Sequence, residues 1–189
     1  MKNKIKNYHK KFINLINSIE VTDRSGKALD FYQGIELACS VIRKQSRLGG
    51  KVFFIGNGGS AAIASHMAID FWKNLKIEAL SFSDSSLLTC ISNDFGYDYV
   101  FAKPIEFFAG KKDILLSISS SGKSQNILKA VAAAKAKGAS VITLSGFSKN
   151  NPLRLKGICN FYVPASEYGL VEVGHQYVCH YIADILLQK

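Results

Sequence analysis

Apolar side chains recur at helical spacing from the start of the chain, at Ile5, Tyr8, Phe12, Leu15, Ile16 and Ile19. That spacing lines one face of an amphipathic first helix. Asp23-Arg24-Ser25-Gly26 reads as a break. A second helix is expected from about Lys27 to Leu48, with Leu29, Ile35, Leu37, Ala38, Val41 and Ile42 mostly inward and Gly49-Gly50 ending it. From Lys51 the pattern changes to short, nearly continuous apolar runs separated by helical stretches. Strands are predicted at Lys51–Ile55, Ile77–Ser81, Asp113–Ile118, Ser140–Leu144 and Phe161–Val163. Helices are predicted at Ala61–Asn74, Ser86–Ile91, Val100–Phe108, Ser124–Lys137 and Glu172–Leu187. Such an alternation predicts an α/β fold, with a five-stranded parallel sheet covered by helices on both faces. Ligands of such sheets bind beyond the carboxyl ends of the strands.

Composition narrows the class. At 189 residues, with 48% apolar and 20% charged residues, the chain reads as one globular domain, 1–189, and disorder is excluded. No apolar run reaches the roughly 18–20 residues that span a bilayer. Lys2, Lys4, Lys6, Lys10 and Lys11 are interleaved with polar residues, without the apolar block of a signal peptide. A cytoplasmic protein with no membrane partner is therefore expected. The net charge of +10 is spread along the chain, and those five lysines supply half of it. Without an arginine-rich cluster and interleaved aromatics, no nucleic-acid partner is expected. The basic balance instead suits long-range steering of an anionic small molecule. Cys39, Cys90, Cys159 and Cys179 lack CxxC spacing, so buried reduced thiols are expected.

Two small-residue loops each join a predicted strand to a predicted helix. One is Gly56-Asn57-Gly58-Gly59-Ser60, the other Ser119-Ser120-Ser121-Gly122-Lys123-Ser124. Helix N-termini present unpaired N–H groups and a partial positive charge, which suits an anion. The first loop satisfies the dinucleotide pattern GxGxx[G/A], but that reading needs an acidic residue closing the second strand. Glu78 precedes Ala79-Leu80 rather than ending that strand. Gly122-Lys123-Ser124 imitates the end of a Walker A loop, but Ser117 stands where its first glycine belongs. Both nucleotide readings fall. What remains is a cluster of four hydroxyls, more than an N-cap turn requires, which marks a phosphate cradle.

These loops, in this order, resemble those of the sugar isomerase (SIS) domain, and within it the phosphoheptose isomerase family. The resemblance rests on Ile55-Gly56-Asn57-Gly58-Gly59-Ser60 with His66 following, on Ser92-Asn93-Asp94, on Ser117 to Ser124, and on a last helix holding Glu172, His175 and His180. It implies a flavodoxin-like three-layer α/β/α sandwich, with residues 1–48 as a helical extension used in packing a homotetramer. It also implies aldose–ketose isomerisation of sedoheptulose 7-phosphate to D-glycero-D-manno-heptose 7-phosphate through a cis-enediol, feeding heptose synthesis for bacterial surface polysaccharide. Substrate contacts carried over with it are Asn57, Gly58, Gly59, Ser60, Asp70, Asn93, Asp94, Ser119, Ser120, Ser121, Ser124 and Glu172. The matching roles make Asp70 the base and His180 the acid.

His66 and Asp70 stand four apart and share a helix face. Glu172 and His180, eight apart, lie within one broad face, about 80° apart on the wheel. Two histidines and two carboxylates match the family's metal positions, and His66, Asp70, Glu172 and His180 are expected to hold a divalent metal, zinc being typical of such a set. His175 lies about 140° from His180 and is expected to be structural. His9 is expected to be solvated, and Trp72, Phe101, Phe107 and Phe108 to be core or interface. The chain departs from the family twice, with aspartate in place of glutamate at 70 and glutamate in place of glutamine at 172. The first sets the carboxylate back by about 1.5 Å, one carbon–carbon bond. Those departures favour an alternative reading, a non-catalytic SIS protein that binds a sugar phosphate or a protein partner of the replication-initiator type. Retention of His66 and His180 opposes it.

Overall fold

The computed structural model describes residues 1–188; Lys189, the last residue of the expected domain, lies outside the described residues. In chain order the elements are α1 (Lys2–Asn17), β1 (Glu20–Asp23), β2 (Ala28–Leu29), α2 (Phe31–Arg47), β3 (Val52–Ile55), α3 (Gly59–Asp70), β4 (Ala79–Ser81) and α4 (Ser85–Phe95). They continue with α5 (Ala102–Phe108), β5 (Ile114–Ser119), α6 (Gln125–Ala136), β6 (Ser140–Ser145), β7 (Cys159–Tyr162) and α7 (Tyr168–Leu187). One turn of π-helix, Phe71–Leu75, extends α3.

The sheet has seven strands, in the order β2-β1-β7-β6-β5-β3-β4, rather than the five expected. β3 to β7 are mutually parallel, and β3 is flanked by β4 and β5. Renumbered among themselves, those five run 2-1-3-4-5, the flavodoxin-like doubly wound order. The additional pair is an antiparallel hairpin, with β1 also antiparallel to β7. Its turn is the expected break. Asp23 Oδ1 accepts from the N–H groups of Ser25 (2.8 Å) and Lys27 (3.0 Å), so the side chain builds a turn that the chain re-enters as a strand. Lys27 to Leu29 are therefore not helical. The second helix starts at Phe31 because Asp30 and Gln33 form a capping box around its first turn. Two-residue and four-residue strands are too short to leave a periodic signal.

Alternate strand residues face opposite layers. Val52, Phe54, Ile114, Leu116, Ile142 and Leu144 pack with α2, α3 and α7. Phe53, Ile55, Leu115 and Val141 pack with α5 and α6 on the other face. Phe53 and Phe54 are fully buried, and truncation of either to alanine costs about 3–5 kcal/mol. Cys39, Cys159 and Cys179 are buried as expected, whereas Cys90 is exposed, because no residue of α4 is buried. Burial raises the Cys39 thiol to about 11 and the Cys159 and Cys179 thiols to about 12. Phe101 joins the core, His9 is exposed, and Trp72, Phe107 and Phe108 stand out from the surface. Among the described residues no helix is long and apolar enough to cross a membrane.

Candidate active site

The order of the parallel strands reverses between β3 and β5, and both small-residue loops leave the sheet there, one after each strand. That crevice is where doubly wound sheets bind ligands. Gly58 enters α3 with φ +55° and ψ −124°, a backbone state that β-carbon-bearing residues rarely adopt. A Cβ on Gly59 would lie 2.4 Å from both carboxylate oxygens of Glu172, so the bare backbone makes room for that side chain.

Two turns further along α3 and on the facing part of α7 lies a cluster of His66, Asp70 and His180. Asp70 Oδ2 is 3.3 Å from His66 Nε2 and 3.8 Å from His180 Nδ1. The imidazole centroids are 5.3 Å apart. Asn74, in the π-helical turn, donates to Asp70 Oδ1 at 3.3 Å, which leaves Oδ2 to the histidines. Extra π turns of this kind recur at functional sites. One carboxylate oxygen and two ring nitrogens lie within 4.8 Å of one another, a donor set that fits a divalent ion. The side chains remain partly open, at 52%, 22% and 38% exposure for His66, Asp70 and His180.

Of the four residues expected to hold a metal, His66, Asp70 and His180 have ligand atoms within 4.8 Å of one another, and Glu172 stands apart from them. Its contact with Gly59, and that of His180 with Asp70, show that α3 and α7 run side by side in the same direction. Eight residues of helix separate positions 172 and 180 by about 12 Å along the axis. The two side chains therefore stand at different heights along α7. Glu172 sits instead at the N-terminus of α3, where the helix dipole favours a carboxylate.

Ser119, Ser120, Ser121 and Ser124, expected as a phosphate cradle, stand together just ahead of α6. Ser119 and Ser120 are buried, and Ser119 Oγ accepts from the Gly122 N–H at 3.2 Å. Ser121 Oγ accepts from the Lys123 N–H at 3.2 Å. Ser124 occupies the N-cap position, and its hydroxyl makes no capping bond. The first-turn N–H groups of a helix have no partner within the helix, and such an N-terminus favours an anion.

Asn57 reaches the crevice, but its side chain is bonded to protein rather than standing free for a ligand. It exchanges two hydrogen bonds with Asn126, at 3.0 and 2.8 Å, and accepts from Tyr97 Oη at 3.1 Å. Ser60 is buried in the first turn of α3, so it belongs to the floor of the loop. Asn93 and Asp94 are exposed at the end of α4 and bond to each other, Asn93 Nδ2 donating at 2.9 Å. Asp94 is not part of the His66–Asp70–His180 cluster. Asn74, Tyr97 and Asn126 were missed by the sequence reading. Asn126 carried one usable signal, a polar residue two places after an N-cap on the side facing the sheet.

His175 is fully buried, as its wheel position predicts. Its Nε2 lies 3.0 Å from the carbonyl oxygen of Ser145, so the ring nitrogen donates, while Nδ1 has no protein partner. Burial holds its pKa down to about 4, which keeps the ring neutral.

The SIS domain family matches residues 8–146. The phosphoheptose isomerase of Vibrio cholerae is 36% identical over 160 residues, covering 80% of this chain and 82% of that protein. That of Pectobacterium atrosepticum is 46% identical over 119 residues, which is 60% of this chain and 62% of the relative, a little under two thirds of its length. Among solved structures, a phosphoheptose isomerase from Francisella tularensis superimposes with a TM-score of 0.86 and 27% identity, covering 100% of this chain and 99% of that one. The Neisseria gonorrhoeae enzyme gives 0.84 and 26%, covering 98% and 97%. The family model spans well over half of the chain and the Vibrio cholerae relative is matched over four fifths of both proteins, so the chain belongs to the phosphoheptose isomerase family of SIS-domain proteins.

Proposed function

We propose that this protein is a phosphoheptose isomerase, interconverting sedoheptulose 7-phosphate and D-glycero-D-manno-heptose 7-phosphate. The observation that carries this reading is a carboxylate flanked by two imidazoles on neighbouring helices, in a chain whose hydroxyl-rich loop leads into a helix N-terminus at the sheet's switch point. Isomerisation moves a proton between C1 and C2 and must stabilise an enediolate on the way. The substrate's phosphate rests on Ser119, Ser120, Ser121, Ser124 and the N-terminus of α6. Gly58, Gly59 and Ser60 bring the backbone close to the sugar, and Glu172 accepts from its hydroxyls. Asp70 takes the carbon-bound proton. His180 gives a proton to the carbonyl oxygen, and Asn74 keeps Asp70 oriented for the exchange.

His66, Asp70 and His180 would hold a divalent ion, zinc by their chemistry, which when bound would polarise the substrate's oxygens. Aspartate in place of glutamate at 70 is accommodated by His180, which approaches the same Oδ2 from α7. We further infer a cytoplasmic homotetramer of single-domain subunits, residues 1–48 serving as packing surface. Ile5, Tyr8 and Ile13 on α1 are exposed at 64%, 58% and 48%, which leaves an apolar face for a second copy.

The test is incubation of the purified protein with sedoheptulose 7-phosphate, with and without a chelator. Turnover supports the reading, and its absence would leave a sugar-phosphate-binding protein. Chelation is expected to abolish turnover without unfolding the chain, and undiminished rates at saturating chelator would remove the metal from the scheme.

A further inference from the structure

Asn126 is 2% exposed, lies on α6 just beyond the hydroxyl cradle, and has no place in the reaction described above. Its hydrogen bonds can be counted to completion. A backbone N–H can only donate, so the 2.9 Å bond from Ile127 N fixes which end of the Asn126 amide is oxygen. That oxygen also accepts from Asn57 Nδ2 at 3.0 Å, and Asn126 Nδ2 donates to Asn57 Oδ1 at 2.8 Å. The orientation of Asn57 follows. Its Oδ1 then takes a second donor, Tyr97 Oη, at 3.1 Å. Both carbonyl oxygens thereby have two donors each, and neither amide can flip without leaving a buried mismatch.

The chain of bonds joins three segments. Ile127 and Asn126 belong to the helix whose N-terminus seats the phosphate. Asn57 belongs to the loop that sets the entry of α3, and so the placement of His66 and Asp70. Tyr97 belongs to the short turn that follows α4. We propose that Asn126 is a positioning residue: its reciprocal amide pair with Asn57, braced by Tyr97, sets the distance between the phosphate seat and the reacting end of the site. This rests on the isomerase reading, because only a substrate anchored at one loop and reacting on the helix that the other loop begins needs that distance fixed.

A misplacement of about 1 Å at a reacting centre can cost around a hundredfold in rate. In Asn126→Ala, kcat is expected to fall about 10- to 100-fold while affinity for inorganic phosphate, measured by calorimetry, changes less than twofold. In Asn57→Ala combined with Asn126→Ala, kcat is expected to match the single variants, because both remove the same pair. Tyr97→Phe, at an exposed side chain, is expected to fall about two- to fivefold. Unchanged kcat in folded Asn126→Ala would overturn the proposal. So would multiplicative losses in the double variant, or a phosphate affinity that falls by the same factor as kcat. Should Asn126→Ala not fold, Asn126→Asp keeps the acceptor oxygen and sets a carboxylate oxygen against Asn57 Oδ1 in place of the donor, and unchanged kcat there overturns the proposal equally. Side-chain amide NMR separates this from failure of the isomerase reading. With no turnover in the unmodified protein, one Asn57 Nδ2 proton should still exchange slowly, and do so no longer in Asn126→Ala; fast exchange in both would sink the relay itself.

Discussion

The two faces of α7 carry the same residue type to opposite ends. His175 looks inward, fully buried, neutral and bonded to the Ser145 carbonyl at the end of β6. His180, five residues on, looks across at α3, is partly exposed, and stands 3.8 Å from a carboxylate. Five residues of helix turn the two about 140° apart, so one faces the sheet and the other α3. The inner face is also packed through small residues. A Cβ on Gly174 would lie 2.9 Å from Val163 Cγ1, and one on Gly146 would lie 2.6 Å from Val171 Cγ1. The inner face therefore fixes where the helix lies, and the outer face uses that placement. Farther along, Phe31 stacks on Tyr177 at 6.2 Å, and Arg43 donates to the Ile185 carbonyl at 2.8 Å, tying the end of α7 to α2.

Substitutions on the two faces should separate activity from stability. On the outer face, His180→Gln and Asp70→Asn should each lower proton exchange at the substrate's carbon by about 10²–10⁴-fold, the usual worth of a positioned acid or base. Their denaturant midpoints should stay near the parent's, and full activity in either variant would remove that residue from the chemistry. On the inner face, His175→Ala should cost about 2–4 kcal/mol of stability by cavity formation and the loss of a buried bond. Denaturant titration reads this, and a change under about 1 kcal/mol would make the two faces energetically alike.

The pH dependence sharpens the same contrast. The unfolded chain protonates His175 near its ordinary 6.5, and the folded chain only near 4. Stability is therefore full above about pH 6.5 and declines as pH falls toward 4, by an amount on the order of 3 kcal/mol. In His175→Gln that part of the slope should vanish; an identical slope in both proteins would mean the ring is not held neutral. Gly174→Ala should cost a smaller amount, about 1–2 kcal/mol, by crowding the stiff Val163 side chain. Gln176→Ala, at an exposed position between the two histidines, should change stability by less than about 0.5 kcal/mol and leave turnover unaltered.

The helical wheel was enough to divide the two histidines, because 3.6 residues per turn fix angle whatever the helix packs against. The same wheel says nothing of axial distance, which sets Glu172 about 12 Å from His180 along α7. The i,i+4 pair His66–Asp70 was legible because both members belong to one helix. The hairpin at Glu20 to Leu29 was not, because its strands exist only by pairing with β7 and each other. Asn126 and Tyr97 were not either: hydrogen-bond partners 69 and 40 residues apart leave no local pattern.

By itself the sequence determined the alternation of strand and helix, the two loops at the strand ends and the residue types able to move a proton, since periodicity and turn chemistry are local. Only the tertiary structure decided that His180 meets Asp70 across two parallel helices, that Glu172 stands on Gly59 instead, and that Asn57 is held by Asn126. Those contacts depend on how far one element slides along another, which the packing of glycines and branched side chains sets and no local spacing records.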